Sequence, residues 1–236
     1  MEFPFNRDVF YSVGQLRDFE VELLKNRVVD KPFSDNLRLN QLPWAKLRNE
    51  ELMPFVLVLN WRKTPDAAQF RIANLGASGP DLYLLSKNVE TSFQLTIADL
   101  QYNNSGGRNF ALQNEALARD GHAWGAGGTK KRGHRGELQS EPISTNQIDR
   151  ETACKEGLFS ALKNKLSTPL NSEILVIYAR EFAFELIDIG FESFLRGHAE
   201  AWIAEYTSNP EIDVIIVDSG PNPLKSIFSL SNRLRF

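Results

Sequence analysis

The residues best suited to chemistry lie in the middle of the chain, on two neighbouring stretches with the pattern of β-strands. Asp81 follows a Gly79-Pro80 turn and opens a short run rich in Leu and Tyr, residues 81–86. Gln94 and Thr96 belong to the next run, residues 92–100, and share one strand face because they are two positions apart. A tight turn between these runs would bring Asp81 beside Gln94. A carboxylate and an amide oxygen are ligands that Mg²⁺ accepts.

The elements around these residues predict an α/β fold. We expect a mixed central sheet with helices on both faces, formed by an antiparallel three-strand meander that is followed by helix–strand–helix–strand. The meander comprises residues 69–75, 81–86 and 92–100, and the later part comprises helix 149–166, strand 174–179, helix 191–206 and strand 213–218. The last two strands are continuous apolar runs, which are typical of strands buried on both faces.

Helices are also predicted before the meander, at residues 12–28 and 47–61. Ser12 is expected to cap the first helix, and Pro54 to kink the second or delay its start. The whole chain, residues 1–236, is expected to form a single α/β domain. Within it, residues 1–66 are interpreted as an N-terminal helical extension and residues 101–147 as a long loop insertion.

The predicted insertion contains a Gly-rich basic segment with four cationic side chains, Lys130, Lys131, Arg132 and Arg135. Charge and backbone amides in such a segment favour contacts with nucleic-acid phosphates. The alternative is a solvated loop without a ligand. The segment is therefore a candidate nucleic-acid-binding site.

The order of elements, together with Pro80-Asp81 at the start of the second meander strand, resembles the PD-(D/E)XK nuclease superfamily, whose fold is restriction-endonuclease-like. In that family, the Asp and an acidic residue on the third strand hold a divalent metal, and a following Lys positions or activates the attacking water. The resemblance therefore implies Mg²⁺- or Mn²⁺-assisted hydrolysis of phosphodiesters in DNA or RNA. It implies metal ligation by Asp81 and Gln94.

This sequence departs from the family pattern at two positions. Gln94 stands where the family has its acidic residue, and Thr96 stands where it has its Lys. A Gln carbonyl still ligates Mg²⁺, but Thr brings no positive charge. Lys155, on the following helix, is the candidate for the missing cation. Lys163 and Lys165 of the same helix are expected to form a solvated face.

The missing carboxylate also has candidates, Glu51 on the preceding helix and Glu90 in the turn before the third strand. If Glu51 supplies the carboxylate, the expected metal ligands are Asp81, Gln94 and Glu51. The expected catalytic residues are Asp81, Gln94, Thr96 and Lys155. The alternative is a catalytically inactive nuclease-like protein that serves as a nucleic-acid-binding or protein-interaction module. A third interpretation is an unrelated α/β protein with a small-molecule pocket beyond strands 174–179 and 213–218.

Composition excludes several other classes of protein. The 27 Lys and Arg residues against 30 Asp and Glu residues give a net charge of −3, which excludes a strongly basic nucleic-acid coat. Cys154 is the only cysteine, so the chain has neither a disulfide framework nor a Cys-based zinc site. Since the sequence shows no signal peptide and no long apolar run, we expect a cytoplasmic protein without membrane association. The oligomeric state is left open.

Overall fold

The structure is a computed structural model that describes residues 1–38, 42–74, 79–98, 126–127, 139–140, 147–166, 172–179, 201, 212–218 and 227–229. Its helices are α1 (Val13–Val29), α2 (Lys31–Arg38), α3 (Ala45–Leu47), a π-helical turn (Arg48–Leu52), α4 (Met53–Trp61) and α5 (Gln147–Leu166). Its strands are β1 (Tyr11–Ser12), β2 (Gln69–Ile72), β3 (Leu82–Ser86), β4 (Val89–Ala98), β5 (Ala126–Gly127), β6 (Gln139–Ser140), β7 (Ile174–Ala179), β8 (Asp213–Asp218) and β9 (Ile227–Ser229).

Seven of the described strands form one mixed sheet in the spatial order β1-β2-β3-β4-β7-β8-β9. The pairs β2–β3 and β3–β4 are antiparallel, whereas β4–β7 and β7–β8 are parallel. This arrangement confirms the predicted α/β class, the antiparallel meander and its extension by strands 174–179 and 213–218. The short strands β1 and β9 were not predicted, and they add antiparallel edges to the sheet.

The hairpin between β3 and β4 sets the register of the candidate site. Lys87 and Asn88 form its two-residue turn, and both have positive φ angles, of 51° and 63°, as a type I′ turn requires. β4 therefore begins at Val89, earlier than the sequence predicted, and Leu82 pairs with Phe93. Because side chains alternate along a strand, this register decides which residues of β4 meet the start of β3.

The first helix begins where the sequence predicts. The Ser12 hydroxyl accepts a hydrogen bond from the Gln15 amide at 3.1 Å, and the Gln15 side chain accepts one from the Ser12 amide at 2.8 Å. This reciprocal pair is a capping box, and it confirms Ser12 as the N-cap. The apolar side of the helix, including Leu16 and Leu23, is fully buried.

Helices cover both faces of the sheet. On one face, Phe55 of α4 packs against Phe70 and Phe93, with ring centroids 6.2 and 5.1 Å apart. On the other face, α5 packs on β4 and β7 with buried Leu158 and Leu162. All six residues of β7 are consequently buried, as the apolar run predicted.

Several sequence-based expectations lie outside the described residues. They include most of the predicted helix 191–206, the chain beyond the carboxyl ends of β7 and β8, and the basic residues Lys130, Lys131, Arg132 and Arg135. Within the predicted loop insertion, β5 and β6 pair antiparallel with each other, and α5 begins at Gln147. No helix in the described part of the chain has the length and apolarity needed to cross a membrane.

Candidate functional site

Asp81 lies immediately before β3 and is held by backbone groups on both sides. Its amide donates to the Phe93 carbonyl at 2.8 Å, and its own carbonyl accepts from the Ala73 amide at 2.9 Å. Its carboxylate accepts a hydrogen bond from the Leu95 amide at 2.7 Å. Asp81 is therefore fixed against β4 at the position next to Gln94, because Leu95 and Gln94 are consecutive residues.

Gln94 is half-buried, and its side-chain oxygen is shielded from solvent without a hydrogen-bond donor among the described residues. A buried acceptor without a partner costs about 1–3 kcal/mol, so this oxygen favours the arrival of a donor or a cation. Thr96 is also half-buried, two residues further along β4. Its neutral hydroxyl supplies no charge to the site.

Glu51 reaches this region from the π-helical turn that precedes α4. The Met53 amide donates to the Arg48 carbonyl, five residues back, which is the π-helical pattern. Pro54 lacks an amide hydrogen and lies at the start of α4, so the α-helical hydrogen bond to Glu50 is absent there. The kink predicted at Pro54 is realised as this turn. Single π turns are rare and frequently occur at functional sites.

Buried polar contacts anchor the π-helical turn to the rest of the fold. Arg48 and Glu20 of α1 form a bidentate ion pair, and their side chains are only 8% and 11% exposed. Arg48 also donates to the Asn49 side chain at 3.0 Å, and the Asn49 amide group donates to the Leu37 carbonyl at 2.9 Å. These bonds fix the turn that carries Glu51.

The pKa values of both Glu51 and Asp81 are raised, and the charge of Asp81 contributes to the shift at Glu51. The pKa of Glu51 is raised to about 7, mainly by burial and also by repulsion from Asp81, while Arg7 opposes both effects. Burial also raises the pKa of Asp81, against the opposing effects of the Leu95 amide, Lys165 and Arg7. Both carboxyl groups therefore retain a proton to a higher pH than an exposed acid does. Such a pair favours a bound proton or a bound cation.

Two cations that the sequence did not assign to the site, Arg7 and Lys165, lower the pKa of Asp81, and Arg7 also lowers that of Glu51. Arg7 donates a hydrogen bond to the Ala73 carbonyl, and its segment lies along β2, where the Asp8 amide donates to the Ile72 carbonyl at 2.8 Å. Arg7 lies in an irregular segment without the hydrophobic periodicity of a helix or strand, so the sequence did not indicate that it lies near Asp81. Lys165, near the end of α5, is half-buried and lowers the pKa of Asp81.

Lys163 is exposed, as expected for a solvated face, whereas Lys165 is half-buried. The position of Lys165 in the last helical turn before a buried strand could have indicated its role, because that turn must lie near the sheet. Lys155, the sequence-based candidate, belongs to α5, but its side chain lies outside the described residues. Glu90 is 3.6 Å from Arg71, so it takes part in a different ion pair.

Carboxylate and amide oxygens are the ligand types that a hard divalent cation prefers. Glu51 and Asp81 contribute two carboxylates, and Gln94 contributes the unpartnered buried oxygen. The described residues contain no group of three or more His, Cys, Asp or Glu side chains arranged for a metal, so a third protein ligand would be the neutral Gln94 oxygen. Mg²⁺ and Mn²⁺ accept such an all-oxygen set, whereas soft metals prefer thiolates. We refer to Glu51, Asp81 and Gln94 as the acidic site.

Comparison of the chain with protein-family models, with curated proteins and with solved structures returns no match. The chemistry of the acidic site is therefore inferred from its own residues.

Proposed function

We propose that this protein is a metal-dependent phosphodiesterase of the PD-(D/E)XK type, with a restriction-endonuclease-like fold, that acts on DNA or RNA. The observation that carries the proposal is the electrostatic effect of Asp81 on Glu51, together with a buried, unpartnered oxygen on Gln94, the residue next to the Leu95 amide that holds Asp81. The antiparallel meander, followed by a helix and a parallel strand, supports the same assignment. In this proposal, Asp81, Glu51 and Gln94 hold Mg²⁺ or Mn²⁺.

The bound ion would supply positive charge that offsets the charge developing on the phosphate. The chain itself contributes the position of its ligands. The Leu95 amide holds the Asp81 carboxylate, and the anchored π-helical turn holds Glu51. Hydrolysis adds water across the phosphorus–oxygen bond, leaving a phosphate on one product and a hydroxyl on the other.

Lys165 is proposed to provide the cation that Thr96 lacks. Its influence on the pKa of Asp81 supports this role, because a positive charge close to Asp81 also lies close to the reacting phosphate. Lys165 would hold the attacking water or a phosphate oxygen, and Arg7 would bind a second phosphate oxygen. Lys130, Lys131, Arg132 and Arg135 are proposed as contacts to the nucleic-acid backbone further from the reaction.

The second candidate function is a catalytically inactive nuclease-like protein that binds nucleic acid or another protein. The observation in its favour is the neutral pair Gln94 and Thr96 on β4. With one neutral ligand and no Lys on this strand, such a protein would keep the fold and bind nucleic acid without cleaving it.

Calorimetric titration with Mn²⁺ tests the acidic site directly. We expect the wild type to bind Mn²⁺ weakly, and we expect Asp81→Asn and Glu51→Gln each to lower the affinity about tenfold or more, because each removes a full charge from the ion's ligands. Glu90→Gln is the matched control, since it removes one acid from the ion pair with Arg71 outside the acidic site. An affinity that is insensitive to the first two variants, or no Mn²⁺ binding by the wild type, would overturn the proposal.

Cleavage of end-labelled DNA and RNA then separates the two functions. The enzyme predicts products that require Mg²⁺ or Mn²⁺, persist in Glu90→Gln and disappear in Asp81→Asn. Binding of Mn²⁺ and nucleic acid without any product, over a range of single- and double-stranded substrates, would instead support the inactive module.

A further inference from the structure

Helix α1 presents apolar side chains on two sides. One side is buried in the core and includes Val13, Leu16, Phe19 and Leu23. The other side, which we call the outer stripe, consists of Val21, Leu24 and Val28. Their exposed fractions are 51%, 52% and 86%. A surface helix normally carries polar residues away from its core side, so the outer stripe is an exception.

The spacing of the outer stripe is that of a helix-pairing surface. Val21, Leu24 and Val28 are separated by three and then four residues, which places them along one line on the helix. This is the a–d–a pattern with which two helices pack side by side. The partner that the stripe fits is therefore another helix.

Two exposed charges beside the stripe indicate which helix this is. Asp18 and Lys25 are seven residues apart, so they share one flank of α1 but lie about 10 Å apart along its axis. They are too distant to pair with each other. Within the described part of the chain, neither side chain has an ion-pair partner. Each side chain therefore has an opposite charge on the same helix that is too far away to form an ion pair with it.

A second copy of α1, packed antiparallel, would cover the outer stripe and would give Asp18 and Lys25 ion-pair partners. A two-fold axis that sets Val21 against Leu24 of the second copy also sets Asp18 against Lys25 of the second copy. Two-fold symmetry repeats each contact, which gives two apolar layers and two ion pairs. In a parallel arrangement, the flank that carries Asp18 and Lys25 would face the opposite flank of the second helix, so Asp18 would not meet Lys25.

We propose that the chain forms a two-fold homodimer through antiparallel pairing of its α1 helices along the outer stripe. The proposal is independent of the acidic site. A contact of about three helical turns is smaller than the roughly 1,000 Å² that a stable interface needs. The dimer is therefore weak, with dissociation in about the micromolar range.

Sedimentation velocity over a concentration series tests the dimer. We expect the wild type to pass from monomer to dimer as its concentration rises through the micromolar range, and Leu24→Glu to remain a monomer. Circular dichroism should show an unchanged fold, because Leu24 is exposed. A monomeric wild type at about 100 μM, or a dimer unaffected by Leu24→Glu, would overturn the proposal, including the case in which another segment of the same chain covers the stripe.

Charge reversal tests the antiparallel register. Asp18→Lys and Lys25→Asp should each weaken self-association about tenfold or more, since two attractive pairs become repulsive. The double variant D18K/K25D should regain wild-type association. An equimolar mixture of the two single variants should form the mixed dimer. Failure of both the double variant and the mixture to restore association would refute this arrangement.

Discussion

Replacement of Glu51 by Gln is expected to stabilise the metal-free protein at alkaline pH. Glu51 is largely buried, and its charge faces that of Asp81, with Arg7 offsetting only part of the repulsion. Gln keeps the size and hydrogen-bonding groups of the side chain but carries no charge at any pH. The substitution thus removes the unfavourable free energy of a buried, ionised Glu51 in the folded state.

The magnitude follows from the shifted pKa. In the folded protein the pKa of Glu51 is about 7, against an ordinary value of 4.5, so the folded state retains a proton that the unfolded chain has released. The stability associated with this proton is fully present below pH 4.5 and is lost as the pH rises through 7. At about 1.36 kcal/mol for each pKa unit, and with a reduction for partial exposure, the loss at pH 8 is about 2–3 kcal/mol.

The assay is thermal unfolding in EDTA at pH 4.5 and pH 8. For a chain of this size, about 2–3 kcal/mol corresponds to a rise of roughly 4–12 °C in the Tm of Glu51→Gln at pH 8. At pH 4.5, the two proteins should unfold at nearly the same temperature. The control Glu90→Gln alters only an exposed ion pair and should remain within about 1 kcal/mol of the wild type at both pH values. A gap between Glu51→Gln and the wild type that does not grow with pH would refute the raised pKa of Glu51.

Two further predictions concern the same region. Gln94→Glu adds a third carboxylate, so in EDTA at pH 8 it should unfold about 1–2 kcal/mol more easily than the wild type. Saturating Mn²⁺ should raise its Tm more than that of the wild type; equal responses to Mn²⁺ would remove Gln94 from the acidic site. Arg48→Met should cost about 3–5 kcal/mol in urea unfolding, because it leaves the buried charge of Glu20 without its partner. The double variant Glu20→Met with Arg48→Met should recover most of this loss, and equal losses in the single and double variants would contradict the assignment.

Local patterns in the sequence determined much of the sheet. The alternation of side chains predicted the β3–β4 hairpin, because this signal acts between residues close in sequence. The turn is tighter than predicted, since β4 begins at Val89 and only Lys87 and Asn88 join the two strands. The continuous apolar run of β7 predicted helices on both of its faces, and both faces are covered. Strands β1 and β9 contain only two and three residues, which is too short for any periodicity to be recognised.

The proximity of Asp81 to Gln94 also followed from the sequence, because a hairpin register relates the two strands directly. The sequence did not indicate whether Glu51 or Glu90 is the second carboxylate. Glu90 is closer to Asp81 in sequence, yet it pairs with Arg71, while the charge of Asp81 raises the pKa of Glu51 in the π-helical turn before α4. Which glutamate lies near Asp81 depends on how the helix packs against the sheet. The hydrophobic pattern of the helix or of the strand alone does not determine this packing.

The orientation of Glu51 depends on a change of helical register that only the tertiary structure decided. Pro54 indicated a disturbance, but the π-helical turn is held by the buried Arg48–Glu20 pair, which joins two helices distant in sequence. Arg7 and Lys165 likewise act on Asp81 from segments distant in sequence, one before β1 and one at the end of α5. Periodicity reports which residues face a core, because burial repeats with the geometry of each element. It does not report which charged residues of different elements meet, because that depends on the packing of those elements against one another.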